Sequence, residues 1–217
     1  MSAIAENFTA INQAIAQRTD YAVRVMAVAK LQPIEKLREA LAAGVVLLGV
    51  NYVQEGEEQR KLLEGVKVEW HFIGHIQSRK VKVLPEYDCV ESIDRFEIAK
   101  SLNERCAAAA KKMPILVEVN VGEESQKSGI LPADLKSFLQ GLKRFEHLIP
   151  SGLMLMPPPL DVEARRPFFK RGSEWFRDYQ NEFPFTMLSM GTSDDYLIAV
   201  EEGSTLVRLG TCLLGKR

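Results

Sequence analysis

The sequence predicts a single (β/α)8 barrel domain over residues 1–217, and three observations carry that reading. Short apolar, β-branched runs alternate with stretches of helical period, the pattern of a parallel sheet with crossovers. The runs number eight, and no linker, low-complexity tract or short repeat divides the chain. Eight such units in one chain favour a closed barrel over the alternative, an open doubly wound sheet, although typical barrels run to about 250 residues. The saving falls at the end, where only residues 210–217 follow the eighth run.

Each element has its own signal. Ile4, Phe8, Ile11 and Ile15 recur at i, i+4, i+7 and i+11, the stripe of an amphipathic helix over residues 3–18. That helix can cover the face a final helix usually covers. The first strand spans 23–29. Pro33 suits the first position of the next helix and Gly44 its C′ position, bracketing 34–43. Strands follow at 44–48, 68–73 and 89–93. Asp94 with Glu97 resembles a capping box, opening a helix through Arg105. Strands at 114–121, 149–156, 186–190 and 205–209 complete the set. Ser193 suits the cap of a helix over 194–202, which Gly203 closes.

Composition narrows the function. A hydrophobic content of 46% and charged content of 26% are ordinary for a globular cytosolic domain. A net charge of −1 supplies no overall field for nucleic acid or an anionic membrane, so an anionic ligand needs local groups. Cys89, Cys106 and Cys212 are far apart and without CxxC spacing, which reads as reduced thiols. The first residues lack the basic and apolar regions of a signal peptide. No apolar run approaches the roughly 18 to 20 residues of a membrane span. The expectation is a soluble cytoplasmic protein and, with no large apolar surface evident, a monomer.

In a barrel, function sits at the C-terminal ends of the strands. Lys30 directly follows the first strand. Partial desolvation there lowers an amine's pKa and frees it for a Schiff base, although a solvated strand-end lysine satisfies the same position. Asn51 leaves the second strand and suits either a helix cap or a ligand contact over the mouth. His71 and His75 are four apart, but HExxH is absent and residues 70–73 look like strand, so no metal site is expected. His71 instead alternates with Trp70 and Phe72, leaving one set of side chains for the barrel interior.

The last two turns, Leu188-Ser-Met-Gly-Thr-Ser-Asp-Asp195 and Val207-Arg-Leu-Gly-Thr211, lie where many barrels bind phosphate. Gly210 lets backbone approach an anion, Thr211 adds a hydroxyl, and Ser189 and Gly191 suit the other side of a cup. The same residues also serve as plain caps and turns. Arg208 interrupts an apolar strand, and an unpaired buried guanidinium is very costly, so a carboxylate or a ligand must face it.

Together these stretches resemble one family, the YggS/PROSC-type pyridoxal-phosphate homeostasis proteins, which include the cyanobacterial PipY proteins. The matching motifs are Val28-Ala-Lys30, Gly49-x-Asn-Tyr-Val-Gln-Glu55, Trp70-His-Phe-Ile-Gly-His-Ile-Gln-Ser78 and Val119-Asn-Val-Gly-Glu-Glu124. They continue through Lys127-Ser-Gly129, Gly152-Leu-Met154, Leu188-Ser-Met-Gly191, Ser193-Asp-Asp195, Gly203-Ser-Thr205 and Val207-Arg-x-Gly-Thr211, covering nearly the whole chain in order. The resemblance implies the fold-type III barrel of alanine racemase N-terminal domains, with pyridoxal 5'-phosphate as cofactor. By that resemblance Lys30 carries the cofactor as a Schiff base, and Ser189, Gly210 and Thr211 form the phosphate cup. Arg208 faces the pyridine nitrogen and Asn51 falls beside the ring. Val50 departs from the family's usual glutamate, and Thr192 and Leu197 differ from the commonest residues at their places.

The resemblance implies a carrier for vitamin B6 balance with little or no turnover, whose partners are PLP-dependent apoenzymes or B6 enzymes. The alternative is a PLP-dependent amino-acid racemase. Racemisation needs a base on each face of the carbanion. The second domain that furnishes one of them in alanine racemases is not expected in a chain that stops at Arg217. A third reading is a barrel for another phosphate ester, with Lys30 as a charge partner.

Overall fold

The computed structural model describes residues 2–216, leaving Met1 and Arg217 outside the described residues. Eight parallel strands close into a barrel in chain order. They are β1 (Arg24–Val28), β2 (Leu47–Val50), β3 (Glu69–Phe72) and β4 (Cys89–Ile93), then β5 (Met113–Val119), β6 (Leu148–Leu155), β7 (Met187–Ser189) and β8 (Leu206–Leu209). Pairing of β1 with β8 closes the ring. The helices are α1 (Ala3–Ala16), α2 (Ile34–Ala42), α3 (Val53–Leu62) and α4 (Phe96–Ala108), then α5 (Leu135–Leu142), α6 (Arg166–Tyr179), α7 (Tyr196–Glu201) and α8 (Thr211–Leu214). Between β3 and β4 a 3₁₀ segment, Ser78–Glu86, replaces a helix.

The leading helix takes the expected place. Helix α1 lies against α2, α7 and the short α8, and Asn7 Nδ2 donates to the Leu213 carbonyl at 3.1 Å. Some boundaries differ from expectation. Strand β2 starts at Leu47, not Gly44, because Gly44 (φ +101) ends the helix turn and Val45 N still bonds back to the Ala40 carbonyl. The strand then runs through Gly49, whose Cβ would lie 2.3 Å from Met26 Sδ inside the barrel. The capping box does not form: α4 begins at Phe96, and Asp94 pairs with Arg95 at 2.6 Å. Helix α7 begins at Tyr196, so Ser193 lies ahead of it.

Alternation along the strands sorts the side chains. Trp70, Phe72, Val90, Val117, Leu153, Leu188 and Val207 face the helices in the main core. Inside the barrel, Met26, Leu47 and Leu206 form one small cluster, and Cys89, Leu116 and Met154 another. The same inward parity belongs to His71, Glu91, Glu118, Ser189 and Arg208. An interior that usually fills with branched apolar residues therefore carries a set of polar and charged ones.

Candidate functional site

The chain leaves β1 through Ala29, whose N–H donates to the Gly49 carbonyl at 2.8 Å, and reaches Lys30. Leu31 then turns sharply at φ +56, a left-handed conformation costly for a residue with a Cβ. Two side chains one turn apart on α3 hold that turn. Leu31 N donates to Glu55 Oε1 at 2.5 Å, and Gln59 Nε2 donates to the Ala29 carbonyl at 3.0 Å. Lys30 Nζ stands 5.2 Å above the Tyr52 ring, with the ring face toward the amine.

Asn51 follows β2. Its backbone rests on Gly74, where a Cβ would lie 1.9 Å from the Asn51 carbonyl oxygen, so only glycine fits. Asn51 Oδ1 is shielded from solvent and unpartnered among the described residues. Asn51 also lines a cavity of about 320 Å³ together with Tyr52, His75, Gln77, Arg79 and Lys80. The mouth's edge is therefore basic there.

Arg208, on β8, is buried in the floor of the mouth. Its Nη1 donates to the Ser189 carbonyl and hydroxyl, each at 2.7 Å, and its Nη2 donates to the Leu155 carbonyl at 2.9 Å. The acceptors it requires are thus supplied by β6 and β7, with Glu91 behind. Burial lowers the guanidinium's pKa, and the charges of Glu91, Glu118 and Asp195 oppose that effect. Burial also pushes Glu118 up to about 7, helped by Asp94 and opposed by Arg208 and Arg95. Glu91 is pushed upward by burial too, but His71, Arg208 and Ser189 outweigh that effect and hold it below the usual carboxylate range.

The turns after β7 and β8 meet beside β1. Gly191 (φ +92) sits so close to α7 that a Cβ would lie 2.6 Å from Ala199 Cβ. The backbone N–H groups of Gly210 and Cys212 converge on Ser193 Oγ at 3.2 and 3.3 Å. A Cβ on Gly210 would meet nothing nearer than Val28 Cβ at 3.9 Å, so that backbone faces open space. Thr211 is exposed at the same turn. Asp195, salt-bridged to Arg165 at 2.8 Å, accepts from Thr192 N and Oγ1 and fixes the preceding loop.

Lys30, Asn51, Arg208, Gly191, Gly210 and Thr211 all lie at the C-terminal mouth. Ser189 corrects the expectation: its hydroxyl is fully buried, donating to Glu91 Oε2 at 2.5 Å and accepting from Arg208. Both bonds would have to break before it joined a phosphate cup, so it supports Arg208 instead. Ser193 Oγ is the serine oxygen that meets the backbone N–H groups of the turn after β8, a contact hidden because a serine before a helix reads as a cap. His71 points into the barrel and His75 lies on an exposed loop against Ser128 Oγ at 3.1 Å, so the two do not share a face. The Asn120–Gly129 motif is explained by its own loop. Asn120 Oδ1 accepts from Glu124 N at 3.1 Å, and Lys127 Nζ donates to the Pro157 carbonyl at 3.1 Å.

The alanine racemase N-terminal domain matches over residues 1–217. A pyridoxal phosphate homeostasis protein of Pseudomonas aeruginosa is 38% identical, over all of this chain and 97% of the relative. The solved structure of PipY from Synechococcus elongatus, with PLP bound, superposes at a TM-score of 0.88 with 29% identity, covering 98% of this chain and 100% of that one. An alanine racemase of Clostridium difficile shares the fold alone, at a TM-score of 0.72 and 15% identity over 55% of its length.

Proposed function

The chain belongs to the pyridoxal phosphate homeostasis proteins, within the alanine racemase N-terminal domain family, and on that premise we propose that it carries pyridoxal 5'-phosphate at the barrel mouth. Lys30 is the covalent anchor. The observation that carries the reading is the convergence of the Gly210 and Cys212 N–H groups on one point beside β1. An anionic oxygen there takes over the N–H groups that Ser193 Oγ now accepts from, the freed Ser193 hydroxyl donates to the same anion, and the open backbone at Gly210 leaves room for it.

The residues present fit the group. The mouth offers an amine at Lys30, converging donors for a phosphate, and a guanidinium for the pyridine nitrogen. Asn51 adds a shielded carboxamide with an unsatisfied oxygen, which a ligand's polar group beside the ring would satisfy. When bound, the cofactor supplies an aldehyde that condenses with amines and a ring that withdraws electrons. Arg208 uses three contacts to the protein, while a guanidinium has five N–H donors, so donors remain for the ring nitrogen. Arginine keeps its proton, so it hydrogen-bonds that nitrogen without protonating it, and the withdrawal stays weak. That favours holding and exchange over sustained turnover. In this reading the protein works as a cytoplasmic monomer, exchanging cofactor with PLP-dependent apoenzymes and B6 enzymes.

Lys30→Ala tests the anchor. The expected result is loss of the visible band of the loaded protein, and loss of the mass that borohydride fixes to Lys30 in the wild type. A band that persists in the variant would sink the assignment. Rapid interconversion of L- and D-alanine by the purified protein, abolished in Lys30→Ala, would contradict the carrier role.

A further inference from the structure

A continuous polar column crosses the barrel interior from the mouth to the opposite end. Arg208 donates to Ser189 Oγ at 2.7 Å, and Ser189 donates to Glu91 Oε2 at 2.5 Å. Glu91 Oε1 meets His71 Nδ1 at 2.6 Å, and His71 Nε2 meets Glu69 Oε1 at 2.7 Å. Glu69 then accepts from both terminal nitrogens of Arg24, at 3.2 and 2.5 Å. Glu69 and Arg24 begin their strands and are 38% exposed, so the column reaches solvent at the N-terminal end of the barrel.

We propose that His71 is a positioning residue for the cofactor-facing guanidinium: clamped between Glu69 and Glu91, it fixes the carboxylate that orients Ser189, and Ser189 fixes Arg208. The inference rests on the reading in which Arg208 faces the pyridine nitrogen.

The geometry sets the imidazole's state. Each ring nitrogen faces a carboxylate, and a neutral imidazole has only one N–H, so both bonds form only in the imidazolium. Burial opposes that charge, and the two carboxylates overcome it, raising the group to about 9. Charges therefore alternate along the column: Arg208, Glu91, His71, Glu69, Arg24. A well-fitted apolar filling would be at least as stable as a buried ionic array. Stability alone therefore does not account for charges here. What the array provides is direction: Ser189 has one hydroxyl proton, Glu91 takes it, and the serine lone pairs are left for Arg208. Without His71, Glu91 is a buried carboxylate lacking its nearest cation and turns toward Arg208 directly.

The test uses protein loaded with pyridoxal 5'-phosphate, reading the position of its visible band and the rate of cofactor release into a trap. His71→Gln is expected to shift the band and speed release roughly tenfold or more, the loss of a hydrogen bond to a charged group. His71→Gln with Glu91→Gln replaces the ion pair by two amides, and recovery of most of that loss is expected. A folded His71→Gln protein with the wild-type band and release rate overturns the proposal. Should His71→Gln not fold, Glu69→Gln takes its place, and a wild-type band and rate there overturn it equally. Arg208→Lys separates the two levels. If it moves the band while His71→Gln does not, the column fails alone. If it leaves the band unchanged, the placement of Arg208 at the ring fails, and this proposal with it.

Discussion

Two serines near the ends of the last strands have hydroxyls with different work. Ser193 Oγ collects two backbone N–H groups at the open turn, whereas Ser189 Oγ is sealed between Glu91 and Arg208. Ser193→Ala and Thr211→Ala are therefore expected to release cofactor roughly tenfold to a hundredfold faster with little change in the visible band. Ser189→Ala should move the band through Arg208. Release rates and absorption spectra of the three loaded variants check this, and equal bands in all three would remove Ser189 from the support of Arg208. A second residue-scale expectation concerns pH. His71 rises from 6.5 to about 9 on folding, between Glu69 and Glu91. Its stabilisation, about 3 kcal/mol, is thus complete below about pH 6.5 and lost as pH climbs through 9. Glu69 falls to about 2, so its contribution is lost only as pH drops from about 4.5 through 2. Denaturant titrations from pH 6 to 10 should show an alkaline decline in the wild type that is smaller in His71→Gln. A parallel decline in both would contradict the imidazolium. The places of Lys30, Gly191 and Gly210 at the mouth were legible in the sequence because strand ends and turns mark themselves, and Arg208 stood out because a guanidinium inside an apolar strand demands acceptors. The roles of Ser189 and His71 were not. Glu91, the acceptor that decides both, is 98 residues from Ser189, and nothing local names it.

At the scale of elements, the site is held by packing between neighbouring βα units. Helix α3 grips the Lys30 turn with Glu55 and Gln59, and the loop after β3 presses Gly74 under Asn51. Glu55→Ala removes the acceptor for Leu31 N in a turn already strained at φ +56, so the turn should relax. The expected cost is about 1 to 3 kcal/mol of stability, together with weaker cofactor retention. Gly74→Ala is harsher, because its Cβ would meet backbone that cannot swing aside. It should lower Tm and accelerate release together, and a wild-type Tm would show that the two loops move independently. Most strands were readable from β-branched runs, since periodicity reports which face is buried. Strand β2 was displaced by several residues because Gly49 reads as a turn. Its side chain is absent only because Met26 already fills that space. The box at Asp94 failed for a related reason, since Arg95 claims the carboxylate first.

At the scale of the molecule, the mouth is bordered by exposed apolar side chains on four βα connections: Leu31, Tyr52, Leu131, and Met156 with Leu160. Single exposed apolar residues need no explanation, but these share the end of the barrel that holds the site. The carrier reading gives them a use, contact with an apoenzyme during transfer. Two mechanisms then predict different kinetics. If cofactor dissociates first, transfer to an acceptor apoenzyme cannot outrun spontaneous release, whatever the acceptor concentration. If transfer occurs in a complex, its rate climbs with acceptor concentration above that ceiling. The rim favours the second course. Met156→Ser and Leu160→Ser lie on the connection after β6, away from Lys30, and should slow transfer severalfold while leaving spontaneous release unchanged. Stopped-flow absorbance of loaded protein mixed with increasing apoenzyme reads both quantities together. A transfer rate that saturates at the release rate, identical in wild type and both variants, would mean that the carrier works only through free cofactor.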